Sequence, residues 1–381
     1  MSIDAPPVAE GALADPITVE DTAAPFRPSL LGWGARVLVM AAVASIVLWL
    51  PAHQGNVDVH VFTQAAIYSI IGLSLNVLLG YTGQISLGHQ AFVGIGAFTS
   101  AYMVTVHGQP FVAAIGMAMV VGGLQALALG AVSLRVTGLY FALVTLAYGT
   151  MAEESLFNIQ TLTGGSAGQP APKPQGFTTD LRYYYLCLAF LAAVIWIDWR
   201  LMKTKGGRAL AAIRENPRVA ATYGTDIKVY TLMAFVVAGV FAGLGGVLLA
   251  HNDTFVVRDL FNFQLALVFV IMTVVGGLRN RTGVVIGSAF FSLVGFFFDK
   301  LELQKYINDL PGLGSHPLPK EYAPIVIGPM LLLFTLTRHP GGMGQQIRPV
   351  QRWLKGGRFS SKGTHDSPTL RSGDRVSDVR A

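Results

Sequence analysis

The feature that most constrains this chain is a succession of apolar runs, each close to the length that spans the hydrocarbon core of a bilayer, about 20 residues. Inside lipid every backbone polar group must be satisfied within the segment, so runs of this kind specify helices. We read about ten of them, at roughly 35–51, 60–80, 88–107, 111–134, 138–156, 182–202, 229–251, 262–278, 283–299 and 322–338. Charged residues are 13 % of the chain and hydrophobic ones 52 %, where a soluble domain carries about a quarter charged residues. The expected fold is therefore all-α, a polytopic membrane helix bundle. The domain reading is a disordered cytoplasmic N-terminal tail at 1–34, a transmembrane domain at 35–338 with a cytoplasmic loop at 203–228, and a basic cytoplasmic C-terminal tail at 339–381.

The charges give an orientation. The loop 203–228 carries Lys203, Lys205, Arg208, Arg214, Arg218 and Lys228, the turn after the eighth run carries Arg279 and Arg281, and the C-terminal tail carries Arg348, Arg352, Lys355 and Arg358. With ten spans these three fall on one side, and the intervening loops are poor in bases, so the positive-inside rule puts both termini in the cytoplasm. The net charge of +6 is thus a membrane-flank signal and not a nucleic-acid footprint. The first 29 residues have no basic start and no apolar core, so no cleavable signal peptide is expected. Tyr183, Tyr184 and Tyr185 at the start of the sixth run, and Trp196 and Trp199 near its end, are expected at the membrane interfaces. Gly239 with Gly243, and Gly283 with Gly287, have the four-residue spacing that lets helix backbones approach closely. Ten spans divide into five and five, and an odd unit repeated would be inverted, as in many transport folds.

Several function classes are excluded. No Gly-x-x-x-x-Gly-Lys-Ser/Thr stretch is present, so the chain binds no nucleotide through a P-loop. The single cysteine, Cys187, lies in an apolar run without metal-ligand spacing. No cofactor of the chain's own and no metal site are expected. No helix centre holds a clear acid or base, as ion-coupled carriers usually require; His89 is the one borderline candidate. There is no Ser/His/Asp constellation for a membrane enzyme.

Three segments carry chemistry. Gly80–Gln90 sets three glycines and four polar side chains between two spans. Unwound backbone at membrane depth is tolerated only where protein encloses it, so Gly80, Tyr81, Gly83, Gln84, Ser86 and His89 are candidates for a solute path or gate, and an ordinary cytoplasmic turn is the plain alternative. In the loop 203–228, Asn216 is a good N-cap, Pro217 suits a first helical turn and Gly224 a helix stop. This predicts a two-turn helix at 217–223 outside the membrane, suited to docking into a soluble motor. Thr161–Gly168 with Pro170, Pro172 and Pro174 is a tight outer loop, and its lack of a following Lys argues against phosphate binding.

At these segments the sequence resembles the permease subunits of high-affinity branched-chain amino-acid importers, in the longer of the two permease types. The stretches are Gly80–Gly96 (GYTGQISLGHQAFVGIG), Arg135–Ala147 (RVTGLYFALVTLA), Thr163–Gly168 (TGGSAG), Gly207–Phe235 (GRALAAIRENPRVAATYGTDIKVYTLMAF) and Val274–Gly287 (VVGGLRNRTGVVIG). The resemblance covers roughly 60–338. It implies a type II-like ABC importer permease in a bacterial inner membrane. It also implies a second related permease as heterodimer partner, two cytoplasmic ATPase subunits that hold ATP and Mg, and a periplasmic solute-binding protein. It makes Gly207, Arg208, Arg214, Asn216, Pro217, Ala220 and Gly224 the candidate ATPase-coupling residues. Coupling loops of such importers often read Glu-Ala-Ala-x-x-x-Gly; here Arg218 and Val219 stand for the Glu and first Ala, while Ala220 and Gly224 match. A urea or short-amide permease shares nearly the same signature, and an ATP-independent secondary transporter or channel is the rival of another class.

Overall fold

The computed structural model describes residues 45, 47–49, 51, 56–136, 138–300, 343 and 344. The first and tenth expected spans lie wholly or largely outside the described residues, as do the two tails apart from Met343 and Gly344 and, Lys300 aside, the base-poor loop expected at 300–321.

The apolar runs form helices where expected: α1 (Asn56–Leu75), α2 (His89–Thr105), α3 (Phe111–Ser133), α4 (Gly138–Glu154) and α5 (Asp180–Lys203). Two shorter helices, α6 (Lys205–Glu215) and α7 (Pro217–Thr222), follow. Then come α8 (Ile227–Asp253), α9 (Phe263–Gly276) and α10 (Arg281–Lys300). α1 continues without a break into a wide π-helical segment, Asn76–Thr82. Among the described residues four helices are long and apolar enough to cross a membrane, namely 58–82, α3, α5 and α8.

α8 is the axis of the bundle, with α1, α2 and α3 packed around it; α10, α5 and α9 pack on α1. α1 and α8 are apolar all round and mostly buried, whereas α3 and α5 turn apolar faces outward, including Val120, Leu124, Trp196 and Ile197. A helix apolar on every side belongs at the centre of such a bundle. The small residues explain how tightly α8 is held. A Cβ on Gly239 would run into the carbonyl of Gly122 on α3, and one on Gly246 into that of Val93 on α2. Gly283 and Gly287 stand in the same way against Gly276, so both pairs of the expected four-residue spacing sit at backbone-to-backbone contacts.

Two findings differ from expectation. Residues 205–215, read as part of a loop, are helical. Tyr183, expected at an interface, is fully buried and donates to the Leu248 carbonyl at 2.8 Å. Its neighbours Tyr184 and Tyr185 donate to the carbonyls of Val47 and Leu48 at 2.8 and 3.0 Å, so this aromatic cluster binds helices together.

At one end of the bundle a two-residue ribbon, β1 (Gln169–Pro170) with β2 (Phe255–Val256), closes the turn containing Thr163–Gly168. His251 ties it to the core, bonding Ser100 Oγ at 2.8 Å and the Pro172 carbonyl at 2.6 Å. The other end gathers Lys203, Lys205, Arg208, Arg214, Arg218, Arg279 and Arg281 around α6 and α7, and we call it the basic end.

Candidate functional site

At the basic end the backbone of α6 and α7 is specified locally. Thr204 caps α6, its hydroxyl accepting from Gly207 N–H at 3.4 Å. Gly207 turns against the backbone of Met202, where no Cβ fits, so the chain reverses sharply from α5 into α6. Gly206, Gly207, Leu210 and Ile213 form the buried face of α6. Arg208 lies on its exposed face and donates to the Lys203 carbonyl at 3.3 Å. Asn216 then caps α7, accepting from the N–H groups of Arg218 and Val219 at 3.1 and 3.2 Å, with Pro217 in the first turn. Ala220 is buried, and Gly224 ends the unit at φ 77°, a left-handed position that suits glycine. Val219 and Tyr223, the latter 86 % exposed, stand outward beside Arg218. The result is a small rigid knob with an apolar and basic tip.

The knob is tied to the membrane helices by Arg214. Its guanidinium donates to the carbonyls of Leu79, at 2.5 Å, and Gly80. These belong to the π segment, where the widened turn changes the bonding pattern of an ordinary helix, and one terminal nitrogen of the guanidinium, Nη1, serves both adjacent carbonyls. Burial, with Arg279 nearby, lowers the proton affinity of Arg214. Arg279 donates to Glu215 at 3.3 Å across an exposed pair, and its own N–H bonds the side-chain oxygen of Asn76 at 3.0 Å. A third connection is buried. Asp198 of α5 has no exposed surface, and it accepts from Tyr81 Oη at 3.0 Å and Arg281 Nε at 2.8 Å. The exit of α1, the end of α5, the start of α10 and α6 are thus one polar unit.

Beyond the π segment Gly83 takes φ 74°, and Gln84 N–H returns to the Leu78 carbonyl at 3.2 Å. The Gln84 side chain is half-buried, and Ser86, His89 and Gln90 are buried. His89 bonds Ser74 Oγ at 2.9 Å through Nε2. Ser74 donates its single hydroxyl proton to the Ala238 carbonyl at 2.6 Å. Its oxygen therefore accepts from His89, which fixes the tautomer with the proton on Nε2 and leaves Nδ1 a lone pair. Further along α2 an apolar cavity of about 440 Å³ opens between α2, α3 and the turn at 156–163, lined by Ile95, Phe98, Tyr102, Met117, Val121 and Phe157 among others.

The candidate residues named from sequence fall into one region, with a connection the sequence did not suggest. Gly80, assigned to a solute path, accepts from Arg214, assigned to coupling, so the two segments touch. Ser74, Asn76, Asp198 and Arg281 were missed. Asp198 and Arg281 carried a signal: two opposite charges at the basic ends of different spans. Ser74 and Asn76 carried none beyond being polar within an apolar run.

The family described as branched-chain amino acid transport system / permease component matches residues 59–335. The high-affinity branched-chain amino acid transport system permease protein LivM of Salmonella typhimurium is 27 % identical over 351 residues, covering 84 % of this chain and 77 % of that protein. The same protein of Escherichia coli gives the same figures. The galactose/methyl galactoside import permease protein MglC of Salmonella typhimurium is 26 % identical over 313 residues, covering 74 % of this chain and 91 % of its own. No solved structure matches the chain.

Proposed function

The chain belongs to the branched-chain amino acid transport system permease family, and from that premise we propose that it is the membrane subunit of an ATP-driven importer for branched-chain or related hydrophobic amino acids. Separate ATPase subunits supply the hydrolysis on the cytoplasmic side, which is the basic end. A second, related permease completes the path across the inner membrane, and a periplasmic protein delivers the solute. The observation that carries this reading is the pair of bonds from Arg214 Nη1 to the Leu79 and Gly80 carbonyls. It joins the capped knob α6–α7 directly to the exit of α1, so a motor that moves the knob also moves a membrane helix. A solute path at 80–90 lies next to that exit. Closure of the motor would then bias one packing of the bundle over another, as a partner must if it is to shift the equilibrium.

The test is uptake by cells lacking their own importer and supplied with this chain, its partner permease, motor and binding protein. Labelled leucine should accumulate only with a hydrolysis-competent motor, and excess valine or isoleucine should suppress it. Suppression by galactose or urea instead would keep the permease and overturn the amino-acid assignment. Uptake that persists without the motor and collapses with the proton gradient would replace the ATP-driven reading by a secondary transporter.

A further inference from the structure

α2 does not start at the basic end, as a full span would. His89 pairs with Ser74, eight residues before the end of the α1–π rod, and Ser74 in turn bonds Ala238, eleven residues into α8. Thr145, seven residues into α4, bonds the backbone N–H of Leu87 at 2.9 Å. At 1.5 Å per residue these offsets place the first turn of α2 about 10–16 Å in from the helix ends. That is near the middle of a hydrocarbon core of about 30 Å. Residues 83–88 climb back into the bundle to reach it.

A helix that begins at such depth presents first-turn N–H groups and the positive end of its dipole to an apolar interior. Its N-cap is Gly88, which has no side chain to satisfy them. A second observation is independent of the helix end. Gln90 has no exposed surface, and neither atom of its side-chain amide has a partner. The amide nitrogen and the Cα of Gly88 crowd the same face of Gly149 on α4, so the free amide lies against the helix start. Ser86 Oγ and His89 Nδ1 are likewise buried without partners. Beside the helix start, three buried side chains within five residues, Ser86, His89 and Gln90, therefore carry polar atoms that no side chain or backbone group of the described residues pairs. Native interiors leave few such groups unpaired, and each calls for an explanation.

We propose that Ser86–Gln90 at the mid-depth start of α2 is the cradle for the carboxylate of a zwitterionic amino acid in transit, and that α4 is its cover. The proposal rests on the amino-acid permease reading above and deepens it. The helix start, Ser86 and the Gln90 amide supply donors for a carboxylate, and the lone pair of His89 Nδ1 can accept from the ammonium group. In this structure Thr145 lies over the site: its hydroxyl oxygen takes the Leu87 N–H, and its carbonyl packs on Gly88, leaving room for no Cβ there. The cover is lightly held, because α4 turns Leu139, Tyr140, Leu143 and Met151 outward and packs chiefly on α2. Moving α4 away frees the donors, and the contact with α8 that it gives up is the edge-on pair Phe141–Phe235.

The test uses the complete permease–motor complex carrying Ser86→Cys; native Cys187 is buried. An anionic methanethiosulfonate should label the new thiol during ATP turnover and far more slowly in the nucleotide-free state. Leucine should slow the labelling about tenfold or more relative to leucinol, which lacks the carboxylate and its charge-assisted bonds. Equal slowing by both compounds, no slowing by either, or no labelling in any state overturns the cradle. Gln90→Glu serves as the second variant. It should cut leucine uptake about tenfold with ATPase activity retained, since like charge disfavours a carboxylate; unchanged uptake also overturns the proposal. Wild-type leucine uptake is measured in parallel. Uptake without protection counts against the cradle alone, and absence of uptake overturns the amino-acid reading with it.

Discussion

Asp198 carries its carboxylate within the bundle, and its place there depends on Arg281 and Tyr81. A buried charge stripped of its partner is strongly destabilising, whereas an apolar pair in its place is often neutral. Arg281→Met should therefore cost about 3–5 kcal/mol, and adding Asp198→Leu should recover most of it. Thermal unfolding of the solubilised permease reads both, and equal loss in the single and double variants would remove the ion pair from the account. Gly83 makes a different demand. At φ 74° a side chain costs roughly 1–2 kcal/mol, so Gly83→Val should displace the exit of α1 and block uptake while the motor still binds. Unaffected uptake would make 83–88 a plain turn. Sequence alone marked Gly83, because glycine between polar residues at a span boundary is a local signal. It did not mark Ser74 or Asn76, whose partners lie 164 and 203 residues away.

Helices were the legible elements, because bilayer length and backbone satisfaction leave an apolar run no alternative. Expected bounds of 111–134 and 229–251 became 111–133 and 227–253, differences that helix capping explains. The two-turn helix of the coupling loop was legible for the same kind of reason: Asn216, Pro217 and Gly224 are local stop and start signals. α6 was not, since Gly206 and Gly207 read as loop residues until α5 and α8 are seen to press on them. The π segment was equally hidden, being a tertiary compromise at Gly80. Ala220→Pro tests the knob. It removes the bond from Ala220 N–H to the Asn216 carbonyl and costs about 3 kcal/mol in helix terms. ATPase activity should persist while uptake falls, with the protein still in the membrane, and coupled uptake at the normal ratio would cancel the coupling role of α7.

Across the described residues the bases of 203–228 and of the turn at 279–281 gather at one end, around the knob, while those expected in the C-terminal tail lie outside the described residues. Orientation relative to the cell follows from that charge under the positive-inside rule, and labelling of Tyr223→Cys from the cytoplasm alone would check it. The bundle is held differently at different depths. Around α8 three glycines face backbone: Gly239 meets the Gly122 carbonyl, Gly243 that of Ala118, and Gly246 that of Val93, whereas Gly245 faces the side chain of Ile71. Gly94 instead faces the ring of Phe157. That distinction has a genetic consequence. A clash with a neighbouring side chain can be relieved by shrinking the neighbour, but a carbonyl is common to all twenty amino acids and cannot be traded away. Loss of function from Gly94→Ala should yield suppressors at Phe157, such as Phe157→Leu, whereas Gly246→Ala should yield only true revertants among changes at Val93. In inheritance, these three backbone contacts of α8 can drift only by moving whole helices, and one residue at a time they are fixed.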